Sequence, residues 1–482
     1  MVGLMVLVFV VFAVVIVGPV VAPAAVGLTK VVVLLLLILG AVRLVLGVVR
    51  CVRAEPAARR NYPRAVLAGI LWHRHAAMLG LTSSDPSRRT KIRGAFGPSI
   101  GRNVRIERPK GKARCPRAKF RPDAHGLVVQ VRTVPKVGRV EFEKSAEHLA
   151  DVWACKRVEV AQTAPGRLVV RALRRDPLAE YFGMEDAPPG TYSQPTPFRP
   201  YIGRDSWGNE RYLDLNGITG ITIGGLPRYG KTELTMSLLC QWAMTGAVQF
   251  VLIDGKDGGD YSGWTRRAWL VCGAELPSAV ATLGKVHALM RDRLVKVNAG
   301  QADRNGWGVG PTPENPLIVT VVDECHTFFD LEGVKSDREA EKQVRSCRWL
   351  SSELVRKGGS VLFLTIFLTQ KQTSDAIPTA IRDNCAVGLS FAVKTRDAAV
   401  AGLGETIRDY PSVCPTGLIE RPTYIGVATA TLPGSGSQPF VRLRVPEITE
   451  QAADQRARET EQYRRDPSAV VAPVQTIERK AS

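Results

Sequence analysis

The sequence has no pair of cysteines in a C-x-x-C spacing. Its nine cysteines are scattered, at Cys51, Cys115, Cys155, Cys240, Cys272, Cys325, Cys347, Cys385 and Cys414. An odd, dispersed set argues against a disulfide framework and against a zinc site. The six histidines do not cluster as metal ligands either. Several of the cysteines stand in apolar runs, where a free thiol behaves as a small hydrophobe, and the pattern fits a reducing cytoplasm. Acidic residues are in deficit, 45 against 65 basic ones, for a formal net charge of +20. That imbalance favours an anionic partner, either nucleic acid or anionic lipid; the competing reading is a merely solvated basic surface.

Charge is also missing from the beginning of the chain. Val2 to Ala22 is an uncharged apolar run of about the length that spans a bilayer as a helix. Pro23 to Thr29 breaks it, and Val31 to Val49 is a second run, interrupted by Arg43. Arg50, Arg53, Arg59, Arg60 and Arg64 follow at once, a cluster of the kind that stays on the cytoplasmic side. The expectation is a transmembrane helical hairpin over residues 1–55 with both ends inside and Lys30 near the outer surface. The protein is then multi-pass in the cell membrane, with everything downstream cytoplasmic. Arg43 must snorkel or face a partner helix. The alternative, a secretory signal cleaved near Ala22-Pro23-Ala24, lacks a basic segment before the first run and is followed by a second run.

Residues 56–122 read as a basic juxtamembrane linker. From Arg88 to Arg121 it carries Lys91, Arg93, Arg102, Arg105, Arg108, Lys110, Lys112, Arg114, Arg117 and Lys119 against Glu107 alone. Such a stretch lies along anionic headgroups, holds DNA, or is a plain solvated connection. Residues 123–184 read as a small α/β domain. Gly126 to Arg132 is a strand, Ser145 to Ala154 a helix with Ser145 at its N-cap, and Lys156 to Val160 and Arg167 to Leu173 are further strands. Nothing in it looks catalytic, which leaves assembly as its role. Residues 185–200, with Pro188, Pro189, Pro195, Pro197 and Pro200, have the composition of a stiff extended linker.

The chemistry is concentrated in residues 201–449. The short strand Ile221-Thr222-Ile223-Gly224 leads into Gly225-Leu226-Pro227-Arg228-Tyr229-Gly230-Lys231-Thr232. These eight residues fit G-x-x-x-x-G-K-[ST], and a helix-compatible segment from Glu233 to Met244 follows. Strand, glycine loop and helix are the context this motif needs, because backbone N–H groups and a helix N-terminus must face the phosphates. Lys231 is then expected to reach the β- and γ-phosphates of ATP, and the Thr232 hydroxyl to coordinate Mg2+. Pro316 to Val322 is a buried-strand pattern ending in Asp323-Glu324, a Walker B arrangement. Asp323 belongs to the Mg2+ shell, and Glu324 is the base that polarises the attacking water. Ser360 to Leu368 is another buried strand, and Gln370 just beyond its tip is the candidate γ-phosphate sensor. Val248 to Ile253 and Ala386 to Val393 supply more strands, so that a parallel sheet covered on both faces carries the site at its strand tips.

The order of these pieces resembles the FtsK/SpoIIIE family of DNA-pumping ATPases, and most of all its shorter, membrane-anchored, TraB-like members encoded by actinomycete mobile elements. Besides the P-loop, the carrying residues are LIDGK (Leu252 to Lys256), VVDE (Val321 to Glu324), LVRKGG (Leu354 to Gly359), LTQ (Leu368 to Gln370) and IPTAIRDNC (Ile377 to Cys385). The resemblance spans roughly Phe198 to Glu447. It implies a RecA-like α/β motor, a homo-oligomeric, hexameric ring around double-stranded DNA, and ATP sites between subunits. Arg356 or Arg382 would then be the arginine finger offered in trans, with a structural salt bridge the alternative for each. The chain departs from the family at Pro227-Arg228-Tyr229, at Gly359 and at Lys371-Gln372. Residues 450–482 read as a polar tail too short for the sequence-reading winged helix of the large members. The leading expectation is an ATP-driven DNA translocase for conjugative transfer. The alternatives are a type VII-like protein-secretion motor, a chromosome-segregation pump, or a non-hydrolysing scaffold, against which intact Lys231, Thr232, Asp323 and Glu324 argue.

Overall fold

The computed structural model describes residues 56–83, 114–194, 198–373, 375–419, 421–432 and 439–469, with a few positions between 37 and 52. The first expected membrane span, most of the second and most of the basic stretch therefore fall outside the described residues. Among the described residues, no helix is long and apolar enough to cross a membrane. The chain divides into two compact units, Met1–Arg175 and Asp176–Ser482.

The first unit is built on a four-stranded antiparallel sheet. Its strands are β1 (Arg117–Pro122), β2 (Gly126–Arg132), β3 (Arg157–Ala164) and β4 (Arg167–Leu173), in the order β1-β2-β4-β3. One sheet face is covered by α1 (Tyr62–Met78), α2 (Arg139–Lys144) and α3 (Ala146–Val152). Ala65, Ala68, Trp72 and Ala76 recur at helical spacing and form the buried stripe of α1. Trp72 packs against Phe120, Phe142 and Trp153, and its indole N–H donates to the Pro116 carbonyl at 2.7 Å. The unit thus reaches further back than residue 123. The segment expected to be linker supplies a helix and the edge strand, because its small and aromatic residues fall on one helical face despite the surrounding charge. Ser145 stands at the N-cap of α3 but makes no side-chain capping bond.

The second unit is a ten-stranded mixed sheet. Its strands are β5 (Tyr201–Asp205), β6 (Glu210–Tyr212), β7 (Gly220–Gly224), β8 (Val248–Asp254), β9 (Leu270–Cys272), β10 (Leu317–Asp323), β11 (Phe363–Thr369), β12 (Val387–Ser390), β13 (Val427–Ala430) and β14 (Val441–Arg444). They lie in the order β6-β5-β14-β13-β12-β7-β11-β10-β8-β9. From β12 to β9 every pairing is parallel, and from β12 out to β6 every pairing is antiparallel. Strands β7, β8, β10 and β11 are buried along their whole length, as near-continuous apolar runs must be when helices cover both faces. Helix α4 (Lys231–Trp242) packs on one face, and α5 (Leu276–Asn298) and α6 (Arg338–Lys357) on the other. In-register pairing sets Asp323 beside Asp254 and Thr369 beside Gly224, so the carboxyl ends of β7, β11, β10 and β8 share one edge.

Two segments read as extended or polar are part of this unit's core. Tyr192, within the proline-rich stretch, is buried and its hydroxyl pairs with Ser237 Oγ at 2.7 Å. Helix α8 (Glu450–Glu459), following α7 (Arg396–Leu403), docks Ala453 and Ala457 into the same cluster. Its only apolar side chains are alanines, which is why the composition of the tail hid it.

Candidate nucleotide site

The loop between β7 and α4 is shaped by its first and last glycines. Gly225 has φ +140° and Gly230 φ +104°, values a side chain rarely adopts. A Cβ on either would also run into Phe391 or the Gly426 backbone. Arg228 carries φ +63° without being glycine. Three backbone hydrogen bonds hold the loop to neighbouring strand tips. The Gly225 N–H donates to the Thr369 carbonyl at 3.3 Å, and the Leu226 N–H to that of Ala392 at 2.8 Å. Gly426 N–H donates to the Tyr229 carbonyl at 3.2 Å. The first turn of α4 leaves its N–H groups without intrahelical partners, so the loop presents donors and a helix N-terminus together.

Lys231, the first residue of α4, is 5% exposed. Its ammonium donates to the Gly225 and Leu226 carbonyls, each at 2.8 Å. Burial, reinforced by the nearby Lys256 cation, pulls its pKa down to about 8, against the opposing pull of Glu324 and Asp323. Thr232 follows, half-buried in the same turn.

Asp323 ends β10 and is 1% exposed. Its carboxylate accepts from the Glu324 N–H at 2.7 Å, from the Tyr261 hydroxyl at 3.3 Å, and from the Lys256 ammonium at 3.3 and 3.4 Å. A carboxylate this deep needs a cation, and Lys256 supplies it from the tip of β8. The position that sequence reasoning gives to Mg2+ is thus one at which the folded chain already puts positive charge. The donor set of Asp323 carboxylate and Thr232 hydroxyl is hard oxygen and fits that ion.

Glu324 has φ +45°, a strained conformation for a side-chain-bearing residue. It aims one carboxylate oxygen at the Gln370 N–H, 3.3 Å away, while Oε2 is buried with no hydrogen-bond partner. Gln370 therefore meets Glu324 through its backbone. Gln372, two residues on, is buried and accepts from Ser390 Oγ at 2.9 Å; its side-chain amide fills the space that a side chain at Gly224 would need.

Of the residues singled out by sequence, the structure brings together Gly225 to Thr232, Asp323, Glu324 and Gln370. It leaves Arg356 and Arg382 apart. Arg356 pairs with Glu353 in the last turn of α6, and Arg382 lies 3.5 Å from Asp383. Both precede the strands that lead back to the site. Lys256, Tyr261 and Gln372 are the site residues to which sequence reasoning assigns no role. Lys256 was signalled by its place directly after a buried strand and Asp254; nothing local marked the other two.

A glycine loop joining a parallel strand to a helix, with a buried Asp and a half-buried Glu at the tip of the strand next but one, defines a P-loop nucleotide site. No protein-family model and no curated protein matches the chain. Solved structures do. The pCW3 conjugation coupling protein TcpA, in monomer form with ATPγS, is 16% identical over 72% of this chain and 94% of its own, with a TM-score of 0.49. The cytoplasmic domain of the Thermomonospora curvata type VII secretion ATPase EccC is 19% identical over 60% of this chain, TM-score 0.45, and the match takes in 34% of that domain. The genome packaging NTPase B204 from Sulfolobus turreted icosahedral virus 2 is 12% identical over 48% of this chain and 100% of its own, TM-score 0.27. At these identities each is a likeness only.

Proposed function

We propose that the chain is a membrane-anchored ATPase that drives double-stranded DNA, a TraB-like member of the FtsK/SpoIIIE group working as a homo-oligomeric, hexameric ring. The observation that carries hydrolysis is Glu324. It is held in a strained backbone conformation beside the P-loop with one carboxylate oxygen buried and unpartnered, which is the state of a base awaiting a water. Its neighbour Asp323 is saturated by bonds and is placed to hold rather than to abstract. Thr232 and Asp323 would hold Mg2+, which when bound neutralises phosphate charge and orients the reacting groups. Lys231, now bound to its own loop, has the reach and charge to turn to phosphate. Gln370 ties Glu324 to the tip of β11. The DNA reading is supported by the +20 charge.

The test is ATP hydrolysis by the full chain with and without long duplex DNA. Lys231→Ala is expected to abolish nucleotide binding. Glu324→Gln is expected to bind ATP and lose roughly 100-fold or more in turnover. Stimulation by a secreted polypeptide and not by DNA would move the assignment to the secretion reading, and comparable hydrolysis by Glu324→Gln and wild type would remove Glu324 from its role.

A further inference from the structure

The four-stranded sheet of the first unit has one covered and one open face. Leu127, Val129 and Val131 of β2 and Leu168, Val170 and Ala172 of β4 point into the helical layer. The alternate positions point the other way. There β1 exposes Arg117, Lys119 and Arg121, β2 exposes Gln130 and Arg132, and β4 exposes Arg167. The ladder aligns them. Arg117 stands opposite Arg132, and Arg132 opposite Arg167, while Lys119 faces Gln130. Five cations thus sit on adjoining strands of one face. Among the described residues none of the five has an acidic partner; the acids on this side, Glu159 and Asp123, are taken by Arg157 and Arg171.

We propose that this open face is a docking surface for the phosphate backbone of duplex nucleic acid. Strands lie about 4.8 Å apart and alternate residues along a strand about 7 Å apart. The patch therefore covers roughly 10 by 13 Å, a length over which a duplex presents on the order of eight charges. The cations are separated by Gln130, which can itself donate to phosphate, and by the half-buried Val128 and Val169. Nothing aromatic or large and apolar protrudes among them to insert below the headgroups of a bilayer. Among the described residues of this unit from Pro56 onward, the large apolar side chains that are exposed, Val66, Leu67, Ile70, Met78, Val140 and Val152, all lie on the helices. Since every contact would be to backbone phosphate, binding is indifferent to sequence. The surface serves the same cargo as the motor reading, but it lies on the other unit and is tested separately.

The full chain is reconstituted in nanodiscs of phosphatidylcholine, and anisotropy is measured with a labelled 30-base-pair duplex of arbitrary sequence across a salt series. Arg117→Gln, Lys119→Gln, Arg121→Gln, Arg132→Gln and Arg167→Gln are combined in one variant. A control combines Arg64→Gln, Arg74→Gln and Lys144→Gln, exposed cations of the helical layer. The face variant should lose at least roughly tenfold in affinity, and its slope of log affinity against log salt should flatten by about 3–4. The control should move little, and both variants should keep the wild-type melting temperature and basal ATPase. Equal loss per charge removed in the two variants, or unchanged affinity, overturns the proposal. So does a face variant whose only defect is weaker binding to phosphatidylglycerol vesicles. DNA binding that depends on this face, in a protein that hydrolyses no ATP, would uphold the surface and count against the motor.

Discussion

Single side chains decide what the site can do, and Lys256 is the most informative of them. Its ammonium is the cation that compensates Asp323; nearby, burial pushes the Asp260 carboxyl up, opposed by Lys256 and reinforced by Asp323 and Asp254. Removing Lys256 leaves a nearly inaccessible carboxylate with only hydroxyl and amide donors. Lys256→Met is expected to cost roughly 1–3 kcal/mol of stability, read as a lower denaturant midpoint in the absence of nucleotide. Magnesium added alone should recover part of that loss in the variant and almost none in wild type. A variant as stable as wild type would mean that the ion pair contributes nothing. The sequence pointed to the strand tip that bears Lys256 but not to its partner, because a contact between residues 256 and 323 depends on which strands become neighbours.

At the scale of elements, strands were far more legible than helices. β7, β8, β10 and β11 announce themselves as largely apolar runs, each with one internal polar residue, ended by Gly, Asp or Thr, since both their faces are covered. α1 and α8 were hidden because their buried stripes are mostly alanine, which contributes little to a hydrophobic pattern. The antiparallel half of the sheet, β13, β14, β5 and β6, was likewise missed: its strands are three to five residues long, and three of the four carry arginine. The α5–α6 pair carries a pH prediction. His287 of α5 lies against Trp349 of α6, ring centroids 5.1 Å apart, and its Nε2 is buried without a partner. Burial lowers its pKa, helped by Arg291 and Lys357 and opposed by Glu353. A histidine with a lowered folded pKa takes its proton first in the unfolded chain, so stability falls as pH drops through the unfolded value near 6.5. Between pH 7.5 and 5.5 the wild type should lose more of its urea midpoint than His287→Phe does. Equal losses would show that protonation there is free.

At the scale of the whole molecule, the sequence specified the parallel order of chemistry along one sheet edge but not the two-unit division at residue 175. That boundary falls where β4 ends, ahead of the proline-rich stretch that the composition marks. Prolines locate where a chain cannot pair, and here Tyr192 draws the chain back onto the core regardless.

The P-loop's attachment to Gly426 reaches further than the site itself. Gly426 donates to Tyr229, and its own carbonyl accepts from Val445 at 2.9 Å, so an unbroken relay of backbone amides runs from the loop through the β13 entrance to the end of β14. In the language of hydrogen exchange, these amides belong to one opening event, not to separate frayed ends. The Gly426 and Val445 amides should exchange at matching rates in the free protein and slow by the same factor when ATPγS is added, although neither residue lies in the loop. Occupancy of a small anion pocket would then be legible as a change of tension at the antiparallel flank, the side of the sheet farthest from β9.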